Sequence, residues 1–135
     1  MEYKKTYKGL ILFFATLCLI LIGGAVLFGI YLPMHMSRFT VCCISASMAV
    51  LTYIIYKTQN IYWYNNISYE EAERAGEKRR KAYAFAHLKL FGILFICQIL
   101  FSIIMALLNV NQWVDFTVGV IALCTVAICT VKIKL

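Results

Sequence analysis

Polar side chains recur along one face of a predicted helix whose second half is otherwise apolar. At 100° per residue, Arg80, His87, Gln98, Ser102 and Asn109 fall within an arc of roughly 60°. A buried amide or hydroxyl that faces lipid without a partner is costly, so this polar stripe is predicted to face protein or water. Two chemistries fit it: hydrogen bonds between helices, which we favour, or the lining of a solvated path or pocket.

The apolar runs carry none of the residue sets that catalysis or metal binding requires. They contain no Asp, Glu, Lys, Arg or His, and the chain shows no catalytic triad, paired carboxylates, metal-ligand cluster or phosphate-binding glycine loop. His87, just outside one run, is predicted to be an interfacial residue rather than a ligand or proton carrier. We therefore expect no enzyme, no cofactor or metal site, and no proton- or sodium-coupled transporter. A channel stays compatible with the sequence, since Ser, Asn and Gln can line a pore, but it would require an oligomer.

The composition is that of an integral membrane protein. Hydrophobic residues make up 63% of the chain and mean hydropathy is +0.82, whereas soluble domains have about 45–50% apolar residues. Apolar runs, the last of them at roughly 116–131 and extended outward by the interfacial residue Trp113, predict spans at about 9–32, 39–56, 90–108 and 113–131. Pro33 is predicted to end the first helix. The expected fold is all-α: one membrane domain of four spanning helices, arranged as two antiparallel hairpins.

A long charged helix is predicted to lead into the third span. Ser68 and Glu71 have the spacing of a capping box, and Glu70–Arg74 and Glu77–Lys81 have the spacing of helical ion pairs. No proline follows before Leu108. The pattern predicts one unbroken helix, cytoplasmic over about 69–89 and membrane-embedded thereafter, with Gly92 as the candidate for a bend.

Basic residues set the predicted orientation. Of the 13 Lys and Arg residues, Arg38 alone falls on one side of the predicted spans. The other twelve are Lys4, Lys5, Lys8, Lys57, Arg74, Lys78, Arg79, Arg80, Lys81, Lys89, Lys132 and Lys134. Because cytoplasmic flanks hold the positive excess, both termini are expected in the cytoplasm, in a bacterial plasma membrane. Orientation and attraction to anionic lipids account for the net charge of +7, so no nucleic-acid partner is expected.

Two segments are predicted to lie at the cytoplasmic membrane surface. The basic cluster Lys78, Arg79, Arg80 and Lys81 is expected to bind anionic lipids, the alternative being a solvated face that only sets orientation. The aromatic segment 60–64 is expected at the level of the headgroups. An aromatic cage for a cationic ligand is the less favoured reading of the second segment, since it needs rings that converge from different elements.

Small residues mark predicted helix contacts. Gly23, Gly24, Ala25 and Gly29 lie in the outer half of the first span, and Ala25 and Gly29 form a small-xxx-small pair. The second span offers Cys42, Ser45, Ala46 and Ala49, which are expected to pack against these glycines. Packing within one copy is favoured over self-association.

Asp115 is the one acidic residue expected outside the membrane on the Arg38 side. It is predicted to cap the fourth span by accepting from the amide of Thr117 or Val118. An alternative is attraction of ions by copies of Asp115 in an oligomer.

Two functions follow as hypotheses. The favoured one is a non-catalytic membrane protein that acts through helix contacts, with itself or with a membrane partner, and uses its cytoplasmic helix as a contact or lipid-binding element. The alternative is an oligomeric channel or small-solute transporter.

Overall fold

The chain folds as four long α-helices. The computed structural model describes residues 5–64 and 67–135, which are 87% helical and contain no strand. The helices are α1 (Lys8–Tyr31), α2 (Met36–Thr58), α3 (Tyr69–Leu107) and α4 (Gln112–Val131), with short 3-10 turns at Pro33–His35 and Ile61–Trp63. Each of the four is long and apolar enough to cross a membrane. The prediction of an all-α protein with four such helices is confirmed. Lys4, used for the predicted orientation, lies outside the described residues.

Local sequence signals set two of the helix ends. Pro33 starts a 3-10 turn directly after α1, because it has no N–H to continue the helix. At the start of α3 the predicted capping box is present. The Glu71 amide donates to Ser68 Oγ at 3.1 Å, and the Ser68 amide donates to the Glu71 carboxylate at 3.2 Å.

The prediction of an unbroken third helix is wrong at Gly76. This residue has φ 75° and ψ 164°, so α3 is kinked between residues 69–75 and 77–107. These angles interrupt the i→i−4 bonds that would span residue 76. Arg80 Nη1, beyond the kink, donates to the Ala72 carbonyl before it at 3.0 Å and so links the two parts of the helix. Gly92, the expected site of a bend, keeps helical geometry.

The core is built mainly from α2, α3 and α4, and α1 lies at its side. None of the residues of α1, all of which the structure describes, is buried. Near its end α1 meets α2 where the ring of Phe28 stacks on that of Phe39, with centroids 4.4 Å apart. The same Phe39 ring packs directly against Gly24, where a Cβ would not fit.

The aromatic segment 60–64 folds inward. Asn60, Ile61 and Tyr62 are buried, and Ile61 is fully so. Ile61 and Tyr62 belong to a hydrophobic cluster with Leu51 and Ile55 of α2. These residues therefore pack against protein rather than lipid, because the 3-10 turn directs them between the helices; their position at the level of the headgroups stays a prediction. We call this end of the bundle the Tyr62 end and the opposite one the Arg38 end.

Candidate functional site

Two opposite charges are buried together at the Arg38 end. Arg38 lies in the first turn of α2 and Asp115 in the first turn of α4, and Arg38 Nε lies 3.0 Å from Asp115 Oδ2. The exposed fractions of their side chains are 9% and 0%. Removing two charges from water costs several kcal/mol per ion, which their attraction offsets only when further hydrogen bonds satisfy both groups.

The stripe on α3 supplies those bonds to Asp115. Asp115 Oδ1 accepts from Ser102 Oγ at 2.8 Å and from Gln98 Nε2 at 3.1 Å. Gln98 Nε2 also lies 3.2 Å from Ser102 Oγ. The carboxylate therefore ties α2, α3 and α4 together through three side chains.

Arg38 makes its remaining bonds to the last turns of α3, to the segment that joins α3 to α4, and to the 3-10 turn that precedes α2. Its Nη2 donates to the carbonyl of Val110 and, at 3.3 Å, to that of Met105. Its Nη1 lies 3.1 Å from His35 Nδ1, which accepts in the tautomer that this contact requires. Every buried side-chain nitrogen and oxygen within the described residues has a partner. The buried network is thus complete.

Sequence reasoning missed this pair. Asp115 was expected to cap α4, but Asn111 does so: its Oδ1 accepts from the Trp113 amide at 3.0 Å. Asp115 lies one turn further on and points into the bundle. Arg38 was expected in a connecting turn and is instead within α2. The sequence did contain a signal for the pair: Arg38 and Asp115 are the one basic and the one acidic residue predicted on that side of the membrane, and each lies next to a predicted helix.

The predicted stripe divides into buried and exposed parts. Arg80, His87, Gln98 and Ser102 are all buried between helices. Asn109 is exposed and lies beyond the end of α3 with φ 52°. It is therefore not part of the buried stripe, because the chain has already turned away from the helix axis.

The small residues of α2 pack only partly as predicted. Cys42 Sγ lies 3.4 Å from Ser102 Oγ, so Cys42 faces α3. Ala46 does face α1, but beside Phe13, Leu17 and Ile20 rather than the glycines. Of those glycines, Gly24 contacts Phe39, whereas Gly23 and Gly29 have no atom within 4 Å of where a Cβ would stand. Ala25 is partly buried and Gly29 is exposed.

A cavity of about 520 Å³ opens beside the ion pair at the Arg38 end. Arg38 and His35 contribute to its wall, together with Asn109, Gln112 and Trp113. Gln112 crosses to the start of α2: its Oε1 accepts from the Ser37 amide at 3.0 Å, and its Nε2 donates to the Pro33 carbonyl at 3.2 Å. The ion pair is thus close to the surface of the bundle but shielded from it.

A second polar region lies at the Tyr62 end. His87 Nδ1 lies 2.9 Å from the Tyr83 carbonyl, and the ring of Tyr64 meets that of His87 edge-on. Burial lowers the pKa of His87, which precedes the apolar run of α3, while bonds to the carbonyls of Tyr83 and Thr130 act in the opposite direction. Tyr64 Oη lies 3.0 Å from Thr130 Oγ1 on α4. This region joins α3, α4 and the segment between α2 and α3.

Aromatic rings also gather around Tyr62. Tyr7, Trp63 and Tyr69 meet its ring edge-on, with centroids 5.5–6.4 Å away. Tyr62 itself occupies the centre of this group, so the rings form a packed cluster rather than a cage for a cation.

The basic cluster is divided by burial. Lys78 and Arg79 are exposed, and Lys81 Nζ pairs with Glu77 Oε1 at 2.8 Å. That hydrogen bond lowers the pKa of Glu77 and raises that of Lys81. Arg80 is 9% exposed and donates to the Ala72 carbonyl and, at 3.3 Å, to Gln59 Oε1. Arg80 is therefore withdrawn from the predicted lipid-binding surface.

Across the described parts of the chain, no three His, Cys, Asp or Glu residues are grouped so that they could hold a metal ion. Comparisons with protein-family models, with curated proteins and with solved structures give no match. Function is therefore inferred from the residues of this chain.

Proposed function

We propose that the chain is a small, non-catalytic, multi-pass membrane protein that acts by helix–helix assembly, with a second copy or with a partner membrane protein. In this proposal α1 to α4 cross the membrane as two antiparallel hairpins, with the Tyr62 end and both termini in the cytoplasm of a bacterial cell. The distribution of Lys and Arg supports this orientation. The charged start of α3, through Lys78 and Arg79, is a contact element for lipid or for the partner.

The observation that carries the proposal is the exposure of α1. It is 24 residues long, it is strongly apolar, and it buries no residue. Its outer half exposes Gly23 and Gly29, positions where glycine weakens a helix by roughly 0.5–1 kcal/mol relative to alanine. Close approach of another helix at Gly29 would offset that cost through packing.

The completed ion pair supports a structural role rather than chemistry. Asp115 already accepts from Arg38, Gln98 and Ser102. A carboxylate held by three donors is fixed in place, and it fastens α2, the helix on which α1 packs, to α3 and α4. The bundle then supports α1 rigidly.

Oligomeric mass and crosslinking test the assembly. We expect the full chain in lipid nanodiscs to have a mass above that of one copy, or a cysteine placed at Gly29 to crosslink to a partner membrane protein. Gly29→Leu should abolish either contact, while Gly92→Leu, a matched change on α3, should leave it intact. A monomer without crosslinks in native membranes would contradict the proposal.

The alternative is an oligomeric channel or small-solute transporter. The observation in its favour is the charged pair within helices long enough to span a membrane, beside an open cavity. Ionisable groups inside a membrane often mark a transport path. Gln98→Leu and Ser102→Val, compared with Ile96→Leu on an exposed face, should reduce liposome flux if this alternative holds. Wild-type protein that conducts nothing would leave the assembly proposal standing.

A further inference from the structure

An apolar groove of about 200 Å³ separates the middle of α1 from α2. Phe13, Leu17 and Ile20 line one wall, and Ala46, Ser47 and Val50 line the other. The Ser47 hydroxyl donates to the Ile44 carbonyl of its own helix at 2.7 Å. The hydroxyl is thus turned to the backbone, and the groove offers an almost wholly apolar surface.

Bulky rings at both ends hold the groove open. At the Arg38 end, the ring of Phe39 on α2 packs against Gly24 of α1. At the Tyr62 end, the Trp63 ring packs on Gly9, 3.0 Å from where a Cβ would stand. Between these two aromatic contacts, the side chains that α2 turns toward α1 are small, namely Ala46 and Ser47. If the groove were empty, both of its walls would lose dispersion contacts. Hydrocarbon therefore fills a groove that is open to it.

A positive charge lies beyond the Tyr62 end of this groove. Val50 and Lys57 are seven residues apart, which places them within about 20° on the same face of α2 and about 10 Å apart along it. Lys57 is exposed, and its Nζ lies 5.7 Å from the centre of the Tyr53 ring. In the proposed orientation this is the depth of the phosphates of the cytoplasmic leaflet, where anionic lipids are found.

We infer that the groove is a binding site for one anionic phospholipid, whose acyl chain lies between α1 and α2 and whose phosphate pairs with Lys57. The inference rests on the proposed membrane insertion but not on assembly. The site is also distinct from the surface formed by Lys78 and Arg79. Contacts of the acyl chain in the groove retain the lipid, and the charge of Lys57 makes the site prefer an anionic headgroup.

The two parts of the site are tested separately by native mass spectrometry of the full chain with phosphatidylglycerol and phosphatidylcholine of equal chain length. Wild-type protein should retain one phosphatidylglycerol about fivefold more than phosphatidylcholine, the preference expected of one lysine at the membrane surface. Lys57→Gln should abolish this preference without loss of retention. Ala46→Leu, which fills the groove, should reduce retention of both lipids severalfold and keep their ratio. Lys89→Gln and Cys124→Leu, which alter an exposed lysine and an exposed small residue elsewhere, should change neither quantity.

Equal retention of the two lipids by the wild type would overturn the inference, as would unchanged retention in Ala46→Leu. So would a lipid-free dimer that Ala46→Leu dissociates, because the groove would then be a protein interface. If circular dichroism shows that Ala46→Leu does not fold, the wild-type preference and Lys57→Gln decide the matter. A lipid-bound monomer that also forms no crosslink from position 29 in native membranes would contradict the assembly proposal and leave this site intact.

Discussion

Gln98 on α3 lies directly against Gly119 on α4: a Cβ at position 119 would stand 2.7 Å from Gln98 Oε1, and it would overlap Val41 of α2 as well. The same Gln98 amide donates to Asp115. The three helices therefore meet at a point where only glycine fits, and the buried charges depend on that close approach.

Replacing this glycine should loosen the network. Gly119→Ala is expected to destabilise the protein by about 1–3 kcal/mol, because Gln98 and Val41 have to shift to admit a methyl group. Gly92→Ala is the control, since nothing lies within 4 Å of that position. Unfolding by SDS in mixed micelles measures both. Equal stability of the two variants would show that the contact at Gly119 relaxes without cost.

The losses of stability caused by replacing Arg38 and Asp115 should be strongly non-additive. Asp115→Asn leaves the buried Arg38 charge uncompensated and is expected to cost about 3–5 kcal/mol. Arg38→Met should be similarly damaging, because it leaves the carboxylate unpaired. The double variant removes both charges, so its loss should be clearly smaller than the sum of the two single losses. A strictly additive cycle would mean that the charges do not interact in the folded protein.

Acid should weaken the Tyr62 end through His87. Burial lowers the pKa of this group in the folded state, so the unfolded chain binds the proton more readily. The stabilising contribution is therefore fully present above the ordinary histidine pKa of about 6.5 and is lost as the pH falls below it toward the lower folded-state value. Unfolding free energies measured from pH 8 to pH 5 should show this decline, and His87→Gln should flatten it. A decline of the same size in His87→Gln would assign it to other groups.

The kink in α3 should be sensitive to its glycine. Gly76→Ala places a side chain at φ 75° and is expected to cost about 1–3 kcal/mol of local stability. Amide hydrogen exchange over residues 69–75 should become faster. Gly92→Ala is the matched control within the same helix, because that glycine is helical and has open space around it. Unchanged exchange in Gly76→Ala would mean that the helix can straighten without penalty.

The features that sequence predicted are local ones. The capping box at Ser68, the end of α1 before Pro33 and the Glu77–Lys81 pair each depend on residues three or four positions apart, or on one residue type. The four apolar helices follow from composition and length in the same way. Such patterns are visible without any knowledge of how the helices pack.

The features that sequence missed depend on distant partners. Arg38 and Asp115 are 77 positions apart, and the hydrogen bonds that make their burial tolerable come from a third helix. Gly76 alone costs a helix only about 1 kcal/mol, so its sequence context did not predict a kink. The kink is stabilised by Arg80, which donates to the carbonyl of Ala72 across it and to Gln59 beyond the end of α2. The helix propensities of single residues cannot reveal contacts of this kind.

The separation between Arg38 and Asp115 also imposes an order on biogenesis in the proposed topology. The ribosome synthesises Arg38 first and, at about 5–20 residues per second, reaches Asp115 roughly 4–15 s later. Until α4 enters the membrane, the arginine lacks its counter-charge, and the first hairpin can remain near water or the translocation machinery rather than pack. Nascent chains arrested before α4 would then carry an unpaired arginine.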